Sequence, residues 1–586
     1  MQSSSGLQIP CFSRVASLLS VPTASVSPGL AQQETATTKA PMLPHRYGMG
    51  LFLLFVTFLV YIPSVRFPFL KFDDLPLIAQ NPYAHQWSSL PSYFTGSTDT
   101  KVSRNAPKIS NFYRPAISTW VLLNYKLFGL RPAFWHLSAI ALYGLGVWLL
   151  WRIAWKLSGN DFVALAAALL YSLHPIHVEG VAWIAGSCVE TLLSVFFLAG
   201  FLMYLCWRDD PRILWLAGCG IAVLCGLLSK ETAAALPILI LIHALLFRSP
   251  PGEPPSRRLH LAPLVLTLAA AVAVYAGLRI PATHGNIISH PYHSWGDVFR
   301  TAPLLFVKYM KLALWPVWLG TWYEAQIVPA FSDVKFYLPL MLSLGYAALT
   351  VWALARKKLV AFLLIWWVVV LGPPLAAVRI FPDFELMHDR FASIPLAALC
   401  MLAASALALL PGVDRPLFGF KAGSAMALAG ITAVLGVLTV KQVNSWTNDM
   451  AMYAHAVEVS PRSVRPRILL GGELIERHDV ARALMLYRDT LNLDPDRWES
   501  IFALSVTLAH TGDDTDAILL LQHGLQVSPK QAPLYHALAG IQAGAGRYDE
   551  AFKVLDRGIA TVDDPEILKR EMVELRARQK KEAPKP

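Results

Sequence analysis

The chain has 586 residues, 55% of them apolar and only 15% charged, with a mean hydropathy of +0.46. Soluble globular proteins carry nearer one quarter charged residues, so the composition argues against a soluble cytosolic enzyme. Its 18 Trp, 19 Tyr and 28 Phe are too many aromatics for a disordered chain. The net charge of +11 is uneven: residues 1–440 hold 31 Lys and Arg against 18 Asp and Glu, and residues 441–586 hold 19 against 21. The excess lies in the apolar part, where short loops carry orientation signals. It is not a nucleic-acid patch on a soluble part, and no nucleic-acid partner is expected.

Six cysteines (Cys11, Cys188, Cys206, Cys219, Cys225 and Cys400) lie in the N-terminal tail or in and beside apolar stretches. No C-x-x-C occurs, so neither a disulfide framework nor a zinc site is indicated. The absence of an N-x-S/T sequon weakly favours a bacterial source.

Residues 1–47 are rich in Ser, Thr, Pro and Ala and read as a disordered tail. The first apolar core begins only near Leu51, too late for a cleavable signal peptide; Met42 and Met49 are candidate start sites. From 48 to 440 the pattern predicts a polytopic α-helical membrane domain. About eleven apolar stretches read as spans, at 48–65, 133–151, 161–173, 187–207, 212–228, 233–247, 261–279, 336–355, 359–378, 391–410 and 422–440. With the N-terminus inside, Arg152/Lys156, Arg208/Arg212, Arg248/Arg257/Arg258, Arg356/Lys357/Lys358 and Arg415/Lys421 all fall on the cytoplasmic side.

The apolar segment 299–319 carries Lys308 and Lys311 near its middle. A lysine at span centre costs about 2.5–3.5 kcal/mol on the insertion scale, so the segment is expected to lie at the outer surface as an interfacial helix. The span count is then odd, and everything after 440 is outside. The loop 66–132 is also outside, and its second half, Tyr113–Leu130, reads as an amphipathic interfacial helix.

Beyond 440 the pattern becomes amphipathic. Pro461, Pro495 and Pro529 are 34 apart, as are Ala483, Ala517 and Ala551, with Leu470-Gly471, Leu504-Ser505 and Leu538-Ala539 in step. Two registers locked to 34 residues indicate a tetratricopeptide α-solenoid over 441–586, with repeats over about 463–564. A half-repeat, Trp446–Pro461, leads in, and the charged helix Glu566–Lys581 caps the stack.

The topology puts four ionisable clusters at the outer ends of spans: Asp73-Asp74, His174-Pro175-Ile176-His177-Val178-Glu179, Lys230-Glu231 and His388-Asp389-Arg390. Ionisable groups at membrane depth are costly and usually functional. A bare Asp pair is most often a solvated turn, but Asp73-Asp74 follows an aromatic run, Phe67-Pro68-Phe69-Leu70-Lys71-Phe72, where a carboxylate can act as general base on a hydroxyl. His174, His177 and Glu179 suit a divalent metal in ligand type, although Pro175 disfavours a regular helical face; hydrogen bonding to a phosphate or ordering of the loop suits them better. Lys230 and Glu231 read as a neutralising ion pair or, for Lys230, as a phosphate partner. Arg390 is either a snorkelling arginine or a phosphate clamp. No P-loop, G-x-G-x-x-G, G-x-S-x-G or H-E-x-x-H occurs, so nucleotide-driven transport, hydride transfer and zinc proteolysis have no support.

The order of these motifs resembles the GT-C membrane glycosyltransferases. It is most similar to the transmembrane-and-tetratricopeptide O-mannosyltransferase-like proteins and their bacterial relatives. The residues that carry the resemblance are Phe72-Asp73-Asp74 with Asn81-Pro82, Tyr113-Arg114-Pro115 with Gly129-Leu130-Arg131-Pro132 and His136, Leu173 to Glu179 with Val181-Ala182-Trp183-Ile184, and Leu228-Ser229-Lys230-Glu231. Two departures stand out: Gly186-Ser187-Cys188-Val189-Glu190 lacks the family's arginine, and His388-Asp389-Arg390-Phe391 replaces Glu-Arg-Tyr. The resemblance implies a polyprenyl-phosphate sugar as donor, mannose or a similar hexose, and a Ser/Thr hydroxyl of an exported protein as acceptor. Transfer would invert the anomeric centre on the outer face of a bacterial inner membrane, or the lumenal face of the endoplasmic reticulum. Asp73 or Asp74 would deprotonate the acceptor, while Arg390, Lys230 and the histidines, with Glu179 and Glu231 in the same clusters, would serve the donor phosphate. Because the charged clusters all precede residue 440, the repeats are expected to hold the acceptor rather than to build the reacting site. The alternatives are a non-catalytic scaffold presenting repeats to envelope proteins, a lipid transporter, for which internal membrane repeats are missing, and a glycosyltransferase acting on a glycolipid.

Overall fold

The computed structural model describes residues 44–98, 112–248, 261–283, 291–382, 385–411, 416–417 and 419–582. Residues 1–43 of the tail, Arg257, Arg258, Arg415 and the tip of the first outer loop lie outside the described residues. The chain is a multi-span helical membrane protein, all-α apart from a two-residue ladder that pairs Pro416–Leu417 with Phe420–Lys421. Among the described residues, eight helices are long and apolar enough to cross a membrane: Tyr47–Arg66, Pro132–Ser158, Ile184–Asp209, Leu261–Ala282, Val334–Arg356, Lys358–Ile380, Asp389–Ala408 and Ala422–Asn444. Three shorter apolar helices, Asp161–Ser172, Ile213–Ser229 and Glu231–Leu246, complete the eleven stretches legible in the sequence.

Their surroundings differ. From Phe162 to Ser172 every residue but Leu165 is buried, so protein rather than lipid surrounds this short helix. Its start is fixed by Asn160, whose side chain accepts from the Val163 amide at 3.1 Å. Val334–Arg356, by contrast, buries only Pro339 and Ala353, and its leucines and valines face outward. The segment expected to lie at the interface forms a helix, Trp295–Leu314, that opens on a capping box between Ser294 and Asp297. It stops short of the expected end because Pro316 pushes the residue before it, Trp315, out of helical geometry. The second helix expected at the interface runs Pro115–Phe128.

After Asn444 the chain forms one lead-in helix, Asp449–Val459, and then three helix pairs. Their first helices begin at Val464, Trp498 and Ala532 and their second at Val480, Asp514 and Tyr548, which reproduces the 34-residue period twice. Ala483, Ala517 and Ala551 are fully buried where paired helices touch. Gly471 is required by the same closeness: a Cβ there would lie 2.2 Å from the Tyr487 ring. The last helix, Glu566–Glu582, lays Leu568, Met572 and Leu575 on the final pair.

The stack is seated on the membrane half. His455 Nε2 and Gln442 Nε2 meet the Leu319 carbonyl at 2.8 and 3.2 Å, and Ser460 Oγ donates to the Trp322 carbonyl at 2.7 Å. Trp446 and, on the lead-in helix, Met452, Tyr453 and Ala456 share one apolar core with the spans. The repeats therefore stand on the same side of the membrane half as the loops that carry Asp73, Glu179 and Arg390.

Candidate active site

The four ionisable clusters, distant in sequence, converge at that side. The loop after the first span is held by aromatic contacts. Phe72 lies 5.6 Å from Trp183 and 5.3 Å from Trp322 between ring centroids, and Trp183 stacks on Trp446 at 6.0 Å. This fixes the two following carboxylates in different settings.

Asp74 points inward and is completely buried. Its oxygens accept from the amides of Leu70 at 2.9 Å and Ala185 at 2.7 Å. Burial pushes its carboxyl up to about 7, against the pull of those two amides. Asp73 instead lines two cavities at once. Burial raises its carboxyl above the ordinary aspartate range, with the Arg390 guanidinium opposing. Nothing in the spacing of the pair separates the two; their hydrogen bonds assign Asp74 to holding the loop and leave Asp73 lining the cavities.

One cavity, of about 420 Å³, carries four cations, Arg114, Lys230, Arg279 and Arg390, and three carboxylates, Asp73, Glu190 and Glu231. Its opposite wall is apolar, with Pro373, Pro374, Ala377, Ile380 and Phe381 at the end of the span Lys358–Ile380. Each of three cations has a carboxylate brace. Lys230 is bound to Glu190, Arg114 to Glu231 at 2.9 Å, and Arg390 to Glu179. The expected Lys230–Glu231 ion pair is thus replaced by two separate pairs, because the turn at Lys230 sends the neighbouring side chains to different helices. Burial lowers the Lys230 ammonium and the Glu190 carboxylate counters it. Glu190 also reaches the Arg390 Nε at 3.7 Å, linking the two cations. Arg390 lies over the Trp183 ring, 5.3 Å from its centroid.

Glu179 stands behind this wall. It accepts from the Arg390 amide at 2.9 Å and meets His388 Nδ1 at 3.2 Å. Burial would raise its carboxyl, but the Arg390 guanidinium wins and holds it well below the usual range. The two histidines read as phosphate partners line neither large cavity. His174 meets the Ala313 carbonyl at 3.0 Å and accepts from the Ile176 amide at 3.3 Å. His177 packs against Tyr171 and Tyr143, at 4.1 and 5.3 Å between centroids. Burial lowers both imidazoles, His174 to about 4. They are neutral supports of the turn that carries Glu179. With Glu179 committed to Arg390 and the two rings 6.4 Å apart, they form no metal set; among the described residues no three His, Cys, Asp or Glu side chains are grouped as one.

The second cavity, of about 890 Å³, opens on the repeat side. Lys71, Phe72, Asp73, Trp183, Glu385, His388 and Arg390 form one wall, and Tyr453, Arg465, Ile468, Glu473, Tyr487, Phe502 and Val506 the other. Lys71 ties the walls together: its amide donates to Asp449 at 2.9 Å, and its ammonium binds Glu473 at 2.8 Å and Glu476. The repeats, expected to hold the acceptor rather than to build the reacting site, thus line a cavity that Asp73 and Arg390 line as well. The 34-residue period fixes the stack but not where its concave side rests.

Sequence reasoning passed over Glu190, Arg114 and Arg279 as site residues. Glu190 and Arg279 carried the usable signal, a charge inside an apolar span.

Residues 114–276 match the family model described as dolichyl-phosphate-mannose-protein mannosyltransferase. The chain is 33% identical over 146 residues to protein O-mannosyl-transferase TMTC3 of Homo sapiens, covering 25% of this chain and 16% of that relative. It is 24% identical over 500 residues to protein O-mannosyl-transferase Tmtc3 of Drosophila melanogaster, covering 73% and 53%. The chain thus spans about half or less of these relatives' length. A solved structure of ArnT from Cupriavidus metallidurans bound to undecaprenyl phosphate is 17% identical, with a TM-score of 0.37, covering 82% of this chain and 80% of that one. The similarity to the transmembrane-and-tetratricopeptide O-mannosyltransferases, read from the motifs, is borne out by these relatives.

Proposed function

We propose, from that similarity and the geometry of the site, that the protein is a membrane glycosyltransferase that moves a sugar, mannose or a similar hexose, from a polyprenyl phosphate to a hydroxyl. The observation that carries the reading is the position of Asp73, on the seam of a cation-lined cavity beside the spans and a second cavity open to the aqueous side. Lys230, Arg114, Arg279 and Arg390 would receive the donor phosphate, and the apolar wall at Pro373 to Phe381 would lie along the first part of the prenyl chain. Asp73 would take the proton of the acceptor hydroxyl as its oxygen attacks the sugar C1. The bond from C1 to the phosphate oxygen breaks, and the electron pair leaves on the polyprenyl phosphate. Its charge rises from one to two, and the fixed cations stabilise that increase. A single displacement from the face opposite the phosphate inverts the anomeric centre. Domain limits of 48–440 and 441–586, placement of the repeats outside the cytoplasm, and a bacterial inner membrane complete the proposal.

The test is direct. Purified full-length protein in nanodiscs is given polyprenyl-phosphate mannose and a Ser/Thr-containing peptide, and the peptide is analysed by mass spectrometry. A hexose on a hydroxyl, absent without donor, supports the reading. Absence of transfer to peptide and to glycolipid alike, with donor bound, leaves the scaffold alternative.

A further inference from the structure

We infer that one water molecule sits behind the cation wall, bound by His177, Ser393 and Glu190, and that His177 is through it a positioning residue for Lys230 and Arg390. The donor-phosphate role of those two cations is the reading proposed above, on which this inference rests. A third void, of about 10 Å³, lies where the turn Pro175–Gly180 meets the spans Ile184–Asp209 and Asp389–Ala408. Gly180 lets turn and helix come close: a Cβ there would lie 3.2 Å from the Glu190 Cβ. His177, Glu190, Thr191, Ser194 and Ser393 line the void, and all five are buried.

The polar groups around the void are unequally used. The Thr191 hydroxyl donates to the Ser187 carbonyl, and the Tyr143 hydroxyl to that of Tyr171 at 3.0 Å. His177 Nε2 and Ser393 Oγ meet no hydrogen-bond partner among the described residues. A buried polar atom left alone forfeits its hydration, and nearly all such atoms in folded proteins are paired with protein or with ordered water. The space is on the scale of one water molecule, and a few polar partners hold one in place. A neutral imidazole can use it in either tautomer, since water both donates and accepts. Glu190 is where the water reaches the donor site. Lys230 Nζ and Arg390 Nε both meet its Oε1, the second at 3.7 Å, so the water takes Oε2. With both oxygens held the carboxylate cannot swing, and the ammonium and guanidinium keep one spacing toward the phosphate. Because that carboxylate is already shared by two cations, it offers no charge to bind an ion in place of water.

Two substitutions at His177 separate this role from ring packing. His177→Phe keeps the contacts with Tyr171 and Tyr143 and loses the nitrogen. His177→Gln loses the ring and keeps a polar group at the reach of Nε2. Full-length protein in nanodiscs is titrated with polyprenyl phosphate, and melting confirms that each variant is folded. His177→Phe is expected to raise Kd roughly three- to tenfold, the scale of one hydrogen bond, and His177→Gln to restore most of the affinity. Ser393→Ala raises Kd in the same direction and decides the matter if His177→Phe does not fold. Because both side chains act through one water, the double variant is no weaker than His177→Phe alone, whereas the losses of independent sites multiply. An unchanged Kd in Ser393→Ala overturns the inference. So does a His177→Gln that binds more weakly than His177→Phe, which assigns the ring to packing, and so does a double variant whose loss is the product of the two. A wild type that binds no polyprenyl phosphate overturns the glycosyltransferase reading instead, and the inference falls with it.

Discussion

The two cavities that meet at Asp73 are built on different principles. The one beside the spans is rigid and pre-charged. The carboxylates that hold Arg390 and Lys230 are themselves buried, Glu179 being 1% exposed and Glu190 4%. Removing one partner of such a pair strands a charge and costs several kcal/mol, so the wall is fixed before a ligand arrives. The cavity on the repeat side is closed by contacts of another kind. Lys71 is 41% exposed in its pair with Glu473, and ion pairs in that setting contribute only about 0–1 kcal/mol. On the proposed reading, the difference suits a site in which one partner is always the same donor phosphate and the other varies.

The sharpest way to break this division is at the seam. Asp73→Asn keeps the shape of the side chain and removes the proposed base, so transfer should fall about 10²–10⁴-fold. Donor binding and melting temperature should stay near wild type, because Asp73 anchors no backbone amide in the way its neighbour does. Activity within tenfold of wild type would move the base elsewhere in the seam.

Asp74→Asn should do the opposite. An amide can accept from one of the two backbone donors, Leu70 and Ala185, but turns an N–H toward the other. One buried donor is left unsatisfied at a cost of about 1–3 kcal/mol. The sign of the pH dependence follows from the direction of its shift. With the folded value raised to about 7 from 3.8, the protonated form is favoured in the folded state. Its contribution is complete below the unfolded value and is lost as pH rises through about 7. Melting temperatures across that window should decline in wild type and lose this component in Asp74→Asn. A variant as stable as wild type would break the assignment of anchor and base.

How much of this was legible in the sequence depends on the length scale of the signal. The spans and the repeats announce themselves through periodicity, which is local. That the four clusters share one side of the membrane half followed from loop charge. What periodicity does not carry is direction: Asp73 and Asp74 are adjacent, yet a turn of backbone sends one to solvent-filled space and the other to amides 111 residues away at Ala185. The same holds for His174 and His177, whose ligand-like spacing is used for packing against Tyr171 and for a carbonyl at Ala313. Glu190 was hidden by the span around it, although a carboxylate among leucines is itself a flag.

A smaller effect comes from acid. The Asp73 carboxyl is raised by burial above its ordinary 3.8, and only its ionised form can accept the proton. The rate should therefore fall as pH drops through that raised value, by up to tenfold per unit below it. A profile of kcat/KM between roughly pH 4 and 8 reads it, and an acid limb at or below the ordinary aspartate value would detach Asp73 from the proton transfer.

The smallest effect tests the looser wall. Lys71→Met removes the ammonium that joins Glu473 and Glu476 to the loop of Asp73, while the backbone bond from residue 71 to Asp449 can remain. The stack has other attachments, at Leu319 and Trp322, so it should stay seated. Two half-exposed ion pairs supply at most about 1 kcal/mol each, and tenfold corresponds to about 1.4 kcal/mol. The expected outcome is a few-fold rise in KM for a protein acceptor, with kcat and donor KM nearly unchanged. Raising the ionic strength should shrink the gap between wild type and variant, since exposed pairs are screened. A fall in kcat matching that of Asp73→Asn would mean the clasp positions the base itself, and the two walls would then be one unit.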